Sequence, residues 1–502
     1  MPKPVVIVVG AGNAGLCAAL SAADAGADVT VLERAPKPER GGNSAFTAGA
    51  MRVAYRGIDD LLKLMPDMTL AEQDGSDFGD YPEDKFFDDM AVVTESRCDP
   101  DLTHALVTKS LETLEWMRTK GVRFAPTYHR QAFKVDGKFK FWGGLSVEVV
   151  GGGIGLVDAL SECAERQDID IRYEHRAERL EFEGGVVRGV WVATSDGART
   201  LHRADGVILA SGGFEANAEW RTKYLGPGWD LAKVRGSRFN TGDGIRMALA
   251  IGARPHGNWS GCHAVGWDRN APEFGDRRVG DGFQKHSYPF GLMINAAGKR
   301  FVDEGADFRN YTYARYGREV LLQPHQFAWQ VFDSKVTSLL RDEYRIREVT
   351  KVTAPTLEEL AHKLEGVDAA AFLRTVAEFN AAVAVDVPFN PNIKDGRSAE
   401  GVTPPKSNWA NTLDEPPYEA YMVTCGITFT FGGVAIDPAT AAVLSDEGSP
   451  IPGLFACGEL VGGLFYFNYP GGTGLTAGSV FGRLAGTSAG AHAADLPNSV
   501  SA

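Results

Sequence analysis

The first residues of the chain form an apolar run, a glycine-rich turn and a helical segment in immediate succession. The run Val5–Val9 is followed by the pattern Gly-X-Gly-X-X-Gly, with Gly10, Gly12 and Gly15 at its fixed positions. In a nucleotide-binding βαβ unit the first glycine permits the tight turn, the second lets the backbone approach a pyrophosphate, and the third allows close packing of helix on strand. The helix N-terminus that follows favours an anion, because its N–H groups are unpaired. The N-terminal segment therefore predicts the first unit of a dinucleotide-binding fold.

An acidic residue ends the second predicted strand. The segment Asp28–Leu32 reads as a strand, so Glu33 lies at its carboxyl end, where a carboxylate can accept both hydroxyls of an adenosine ribose. A phosphorylated ribose is disfavoured there, since its phosphate would meet the carboxylate. A second glycine cluster, at residues 41–49, is not expected of a plain NAD fold. It indicates a larger cofactor that extends further across the sheet.

Composition excludes several classes of function. A chain of 502 residues with 44% apolar content can bury a large core in more than one domain. The formal charge of -14, without a Lys/Arg-rich run, argues against nucleic acid as a partner. The six cysteines lack ligand spacing, so neither a disulfide framework nor a metal site is expected. Without a signal-like or membrane-spanning apolar segment, we expect a cytoplasmic protein, either free or held at the inner face of a membrane by a partner.

The character of the sequence changes in the middle of the chain. Between about His256 and Pro405 the glycine motifs stop and Trp, Tyr, Arg and His become frequent, before glycines return after Tyr418. Residues 357–383 read as two helices, and the last helix is predicted from Ser479 to Ala493. We predict an α/β fold, with a discontinuous Rossmann-like domain at 1–255 and 406–502. An inserted α+β capping domain at 256–405 would close over a substrate.

Six short motifs resemble the FAD-dependent fumarate reductase/succinate dehydrogenase flavoprotein superfamily. They are GAGNAG at 10–15, GGNS at 41–44, ASGGF at 210–214, GKRFVDE at 298–304, FGG at 431–433 and ACGEL at 456–460. This resemblance spans essentially the whole chain and implies an FAD-dependent oxidoreductase that acts on CH–CH groups. Longer strings, at 307–313, 327–333 and 465–472, resemble the FAD-dependent tricarballylate dehydrogenases. They imply oxidation of propane-1,2,3-tricarboxylate (tricarballylate) to cis-aconitate, with electrons passed to a membrane-associated redox protein.

The chain departs from the superfamily pattern at three places. Fumarate reductases carry histidines just before the late Gly-Gly, where this chain has Thr428–Phe431, and an arginine where it has Tyr469. Two usual carboxylate-binding groups are therefore missing, which weakens the fumarate interpretation and requires other residues to hold the acid groups. Succinate dehydrogenases attach FAD to a histidine in the turn that corresponds to residues 42–44. This turn has no histidine, so we predict noncovalent FAD.

The resemblance also implies a set of FAD-binding residues. Glu459 would meet the ribityl hydroxyls, and the backbone N–H groups of Gly474 and Leu475, at the start of a helix, would face the flavin C2=O. Ala177 would line the adenine pocket. The full predicted set is Gly10, Gly12, Asn13, Ala14, Gly15, Glu33, Arg34, Gly41, Gly42, Asn43, Ser44, Gly49, Ala177, Ser211, Gly212, Asp243, Gly458, Glu459, Gly474 and Leu475.

Desaturation of a polycarboxylate requires a base that removes the proton alpha to one carboxylate while a hydride leaves the neighbouring carbon for flavin N5. Arg309 is the first candidate, because a guanidinium binds a carboxylate bidentately. A proton-shuttling role for Arg309 requires a carboxylate such as Glu304 beside it. The structural alternative is an ion pair of Arg309 with Asp303, Glu304 or Asp307.

Histidines and tyrosines supply the remaining catalytic candidates. They are His286, Tyr313, Tyr466 and Tyr469, with His263 as a second histidine of the capping domain. For the tyrosines, an aromatic packing cluster is the alternative. Arg130, Arg315 and Arg318 are further cationic candidates for which surface exposure is the alternative.

The sequence leaves two competing functions open. One is a flavin enzyme that acts on another substrate. A bulky ring, such as a 3-ketosteroid or a corrin-like ring, is favoured by the missing histidine and arginine, and a fumarate-type acid is a further alternative. The other is an electron-transfer flavoprotein subunit without a substrate of its own. The basic and aromatic middle segment argues against the second, because an electron carrier needs no closed substrate chamber.

Overall fold

The structure is a computed structural model that describes residues 3–128, 132–141 and 144–495. Arg130 lies outside the described residues. The helices are α1 Asn13–Asp24, α2 Ile58–Leu64, α3 Leu70–Asp74, α4 Glu83–Val93, α5 Pro100–Thr119, α6 Gly152–Arg166, α7 Ala218–Trp220, α8 Asp243–Leu249, α9 Arg309–Leu321, α10 Leu357–Lys363, α11 Ala369–Ala382 and α12 Thr473–Asp495. The early strands are β1 Val5–Val9, β2 Asp28–Leu32, β3 Ala50–Met51, β4 Ser76–Asp77, β5 Phe124–Pro126, β6 Ala132–Val135, β7 Lys138–Phe141, β8 Val147–Val149, β9 Asp170–Arg172, β10 His175–Glu183, β11 Val186–Thr194, β12 Arg199–Arg203 and β13 Gly206–Leu209. The later strands are β14 Lys233–Val234, β15 Pro255–Asp268, β16 Leu292–Asn295, β17 Ala328–Phe332, β18 Lys351–Ala354, β19 Tyr418–Val434, β20 Ala442–Leu444 and β21 Pro450–Ala456.

The first compact unit comprises 1–227, 236–262 and 429–502. It is built on a six-stranded sheet in the order β20-β21-β13-β1-β2-β9. Strand β1 pairs in parallel with β2 and β13, so the carboxyl ends of the three strands meet at one edge. Its residues Val6, Ile7, Val8 and Val9 are buried, as a central parallel strand requires. The Rossmann-like α/β prediction is confirmed.

Helix α12 packs along α1 through small residues. A Cβ atom placed on Gly482 would overlap the carbonyl oxygen of Ala14, and one on Gly486 would overlap that of Ala18. The helix begins at Thr473 rather than at the predicted Ser479. Close packing on α1 offsets the low helix propensity of these glycines. Because the helix starts early, Gly474 and Leu475 lie in its first turn. Within the described residues, no helix combines the length and apolarity needed to cross a membrane.

The second compact unit comprises 228–235 and 263–428. Its main sheet has the order β14-β19-β17-β16, and β15 and β18 also pair with β19. Helices α10 and α11, close to the predicted pair, contribute Leu360 and Phe372 to a core that contains Trp329 and Ile294. Two of the unit boundaries, at 262/263 and 428/429, fall inside the long strands β15 and β19, and the domain limits 255/256 and 405/406 from the sequence stay a prediction. A change in residue composition does not mark a boundary that lies within a continuous strand.

Candidate functional site

A cleft in the first unit lies where β1, β2 and β13 end. Its walls come from the two glycine turns, from the end of β2 and from the segment that follows β13. The lining includes these predicted cofactor residues: Gly10, Gly12, Asn13, Ala14, Glu33, Arg34, Gly41, Gly42, Asn43, Ser44, Ala177, Ser211, Gly212, Asp243, Gly458 and Glu459. Four predicted residues lie elsewhere in this unit: Gly15 inside α1, Gly49 against Gly152, and Gly474 and Leu475 in the first turn of α12.

The three glycines of the first turn have three different roles. Gly10 has a φ of +110°, and a Cβ there would lie 2.5 Å from the carbonyl oxygen of Ala210. A Cβ on Gly15 would overlap the carbonyl oxygen of Gly10, so this position holds the helix against the turn. A Cβ on Gly12 would come no closer than 3.5 Å to the Gly41 carbonyl oxygen. Gly12 therefore leaves open the space at the helix N-terminus that a phosphate group fits.

The Glu33 carboxylate fixes the ends of the first two strands to each other. It accepts the N–H of Ala11 at 2.8 Å and the N–H of Ala35 at 2.7 Å, and Glu33 is only 7% exposed. Burial raises its pKa, and the backbone hydrogen bonds from Ala35 and Ala11 oppose that rise. The side chain both orders the turn and borders the cleft, which fits its predicted position beside a ribose.

An arginine cluster surrounds Asp243 on another wall of the cleft. Arg34 donates to Asp243 at 3.1 Å, and Arg176 binds the same carboxylate through two hydrogen bonds of 3.1 Å. Burial opposes ionisation of Asp243, but Arg176 and Arg34 bring its pKa below the ordinary value. Arg176 was not among the predicted residues, although it adjoins Ala177. The other lining residues missed by sequence reasoning include His175, Ser237, Phe239 and Asn240, which belong to no glycine motif.

A pair of acids, the buried Glu215 and the half-buried Glu459, lies next to the second glycine turn. The Nδ2 atoms of Asn43 and Asn240 each donate to Glu215 Oε1 at 2.6 Å, and Glu459 Oε1 accepts the N–H of Thr430 at 2.8 Å. Burial raises the pKa of both acids, and the charge of Glu459 raises that of Glu215 further. The rise is the larger for Glu215. The sequence pointed to Glu459 and Asn43 but not to Glu215.

Three candidate side chains of the second unit surround a fourth, the ring of Tyr313. The His263 and His286 rings stand edge-on to Tyr313, with centroid distances of 5.0 and 4.9 Å. The Cζ atom of Arg309 lies 5.5 Å from the centroid of the same ring. Arg309 is the first residue of α9, so the positive end of that helix adds to its charge. The structure thus brings together Arg309, His286 and Tyr313, which the sequence singled out, with His263.

Arginines carry the positive charge of this cluster. Burial lowers the pKa of His263 well below its usual 6.5, and the charge of Arg235 lowers it further. Burial likewise lowers the pKa of His286, with contributions from Arg309, Arg235 and Arg341. Both imidazoles are neutral at pH 7, so each has one ring nitrogen that can accept a proton. The arrangement suits an anionic ligand and proton transfer at the same place.

The structure corrects the expectation that Glu304 assists Arg309. Glu304 is fully buried, forms an ion pair with Arg300 and accepts the N–H of Met293 at 2.8 Å. The carboxylate that a proton-shuttling Arg309 was expected to require is therefore committed to another arginine. Asp307 forms an ion pair with Lys394 at 3.4 Å. Arg315 and Arg318 are exposed, which is the alternative that the sequence allowed for these two arginines.

Tyr466 and Tyr469 belong to the first unit. Tyr469 is 7% exposed and packs edge-on against Phe429 and Phe465, at centroid distances of 5.1 and 5.5 Å. Tyr466 is half-buried. The aromatic packing that the sequence allowed as an alternative is present for Tyr469, and a catalytic role for either tyrosine stays a prediction.

The neutral histidines make stability dependent on pH. The pKa of each is lowered from 6.5 on folding, so the folded chain binds fewer protons than the unfolded chain below pH 6.5. The neutral histidines therefore stabilise the folded chain above pH 6.5, and this stabilisation is lost as the pH falls. The free energy of unfolding should decrease by up to about 1.4 kcal/mol per pH unit for each histidine. The free energy of unfolding, measured with urea, should fall less between pH 7.5 and pH 5.5 for His286→Gln than for the wild type. The exposed control His104→Gln should behave as the wild type does.

Known proteins resemble the chain along nearly all of its length. A family model described as an FAD binding domain matches residues 5–475. The probable fumarate reductase Ifc3 of Shewanella frigidimarina is 31% identical over 503 residues, which cover 98% of this chain and 75% of that protein. NADH:acrylate oxidoreductase of Vibrio harveyi is 29% identical, over 96% of this chain and 50% of that protein. The solved open conformation of a flavocytochrome c3 fumarate reductase has a TM-score of 0.73 at 28% identity, covering 98% of this chain and 79% of that one.

Proposed function

Because the chain belongs to the FAD-binding fumarate reductase flavoprotein superfamily and is an FAD-dependent oxidoreductase that acts on CH–CH groups, we propose that it dehydrogenates a small polycarboxylate, tricarballylate, to cis-aconitate. The observation that carries this proposal is the cluster of Arg309, His263 and His286 around Tyr313. Arg309 is half-buried, and a guanidinium group favours a carboxylate ligand, because charge-assisted hydrogen bonds are strong where water is excluded.

The residues of the cluster supply complementary parts of the reaction. Arg309 binds the carboxylate next to the carbon that loses a proton and stabilises the negative charge that develops there. A neutral histidine accepts that proton, and His286 Nε2 is buried with no hydrogen-bond partner among the described residues. When bound, FAD accepts the hydride that leaves the neighbouring carbon, so one proton and one hydride are lost and a C=C bond forms.

The cofactor fits the first unit without a covalent bond. Asn43, in the turn where succinate dehydrogenases carry their histidine, bonds instead to Glu215 and accepts the N–H of Ser237 at 2.8 Å. We expect acid or heat denaturation to release all of the yellow colour into the supernatant as FAD. Yellow colour that stays with the precipitated protein, or that migrates with the protein band on a denaturing gel, would contradict noncovalent binding. A separate redox protein, membrane-associated as in the resembling tricarballylate dehydrogenases, would then reoxidise the bound FAD.

Anaerobic titration of the purified holoenzyme tests the proposal. Tricarballylate should bleach the oxidised flavin band, and succinate and a 3-ketosteroid in parallel cuvettes should not. The product should be cis-aconitate, identified by mass spectrometry. Bleaching by the steroid alone would reassign the enzyme to ring desaturation. Bleaching only by a reduced protein partner, with no small substrate active, would favour an electron-transfer subunit.

A further inference from the structure

Arg235 is a buried arginine that the sequence did not single out. Its backbone N–H donates to the carbonyl of Ile427 at 2.7 Å, which aligns the end of β14 with β19. Its side chain is 8% exposed and lies over the ring of Trp267, with 5.9 Å from Cζ to the centroid. An arginine is rarely buried to this extent unless its charge is used or compensated.

Only part of the guanidinium is occupied by the protein. Its Nη2 forms an ion pair with Asp281, and its Nη1 donates to Thr428 Oγ1 at 3.3 Å. Its Nε is buried and has no hydrogen-bond partner among the described residues. A buried donor without a partner is costly, so the Nε–H points to an acceptor that a ligand supplies.

The surroundings orient Arg235 toward the histidine cluster. Asp281 also accepts a hydrogen bond from the Nε2 of Gln284, and Gln284 precedes His286 by two residues in the chain. Trp267, over whose ring Arg235 lies, is on the same strand β15 as His263. The charge of Arg235 also contributes to the lowered pKa of both His263 and His286. Thr428, its other partner, stands in the stretch where fumarate reductases carry histidines.

We propose that Arg235, held by Asp281 and Thr428, binds a second carboxylate of the substrate while Arg309 binds the first. This assignment rests on the proposed function and adds to it the residue that holds a second carboxylate of the substrate. It also supplies a cation in place of one of the two missing carboxylate-binding groups, from a different element of the chain. Asp281 has a positioning role, since it sets the direction of the guanidinium.

Equilibrium binding to the oxidised holoenzyme tests the assignment without turnover. Isothermal titration calorimetry would compare tricarballylate with glutarate, which lacks the central carboxylate, and with methylsuccinate, which lacks a terminal one. Arg235→Gln should weaken tricarballylate binding by roughly 10- to 100-fold, as expected for the loss of one charge-assisted hydrogen bond. It should leave the binding of one of the two truncated acids unchanged, because that acid lacks the carboxylate which Arg235 holds.

Two further variants separate binding from folding. Arg235→Lys keeps the charge and should recover part of the affinity, and Arg315→Gln removes an exposed arginine of α9 and should change nothing. Flavin absorbance and melting temperature show whether each variant is folded. Equal weakening of all three acids by Arg235→Gln, or no binding of any acid by the wild type, would overturn the assignment. Binding that depends on Arg235 without bleaching by tricarballylate would support the carboxylate site and reject the proposed reaction.

Discussion

Replacement of Arg309 by glutamine should lower kcat/KM for tricarballylate by roughly 10²- to 10³-fold, or about 3–4 kcal/mol of transition-state stabilisation. Arg309 combines a guanidinium charge with the N-terminus of α9 beside two neutral imidazoles. Glutamine keeps most of the length of the side chain but removes the charge that stabilises the carbanion-like transition state. The loss should appear mainly in kcat, because the developing charge is larger in the transition state than in the bound acid. Steady-state kinetics with an artificial electron acceptor measures both constants.

Arg315→Gln is the matched control, since Arg315 lies on the same helix and is exposed. It should retain wild-type kcat and KM, and both variants should keep their full flavin content. Arg309→Lys should recover little activity, because an ammonium group cannot bind a carboxylate bidentately. If Arg309→Gln lowered kcat/KM by less than tenfold, another residue would have to stabilise the negative charge of the transition state.

The first unit could be predicted in detail because its signals are local. Strand β2 has the predicted bounds, and most predicted cofactor residues line one cleft, because a glycine turn and its flanking strand lie close together in sequence. Glu215 and Arg176 were missed because nothing in their own segments distinguishes them. Their roles come from Asn240 and Asp243, which approach only after the chain has folded.

The cluster of the second unit was predictable by residue type but not by arrangement. Arg309 and His286 were chosen as groups that bind or protonate acids, and the structure brings both to Tyr313. Arg235 meets Thr428 through the pairing of β14 with β19, strands far apart in sequence. Glu304 shows the opposite error, because proximity in sequence to Arg309 suggested a partnership that Arg300 takes instead. The residue types of such a site can be predicted from the sequence, but long-range strand pairing decides which groups meet.

Gly15→Ala should abolish flavin binding in the purified protein. The added Cβ would overlap the carbonyl oxygen of Gly10 and push α1 away from the turn that the phosphates approach. Gly10→Ala should have a similar effect, since it adds a Cβ 2.5 Å from the Ala210 carbonyl oxygen at a φ of +110°. The ratio of flavin to protein absorbance in the purified variants measures the loss.

Gly26→Ala provides the control for backbone strain alone. Gly26 follows the same helix with a φ of +91°, but a Cβ there would meet nothing within 4 Å. The substitution should cost about 1–2 kcal/mol of stability, as a left-handed backbone does for an alanine, and should leave the flavin content unchanged. If Gly15→Ala kept its flavin while Gly26→Ala lost it, the contacts of the first turn would not be what holds the cofactor. Gly26→Ala tests only the backbone conformation that a glycine allows. Gly15→Ala tests the space that allows α1 to approach the turn.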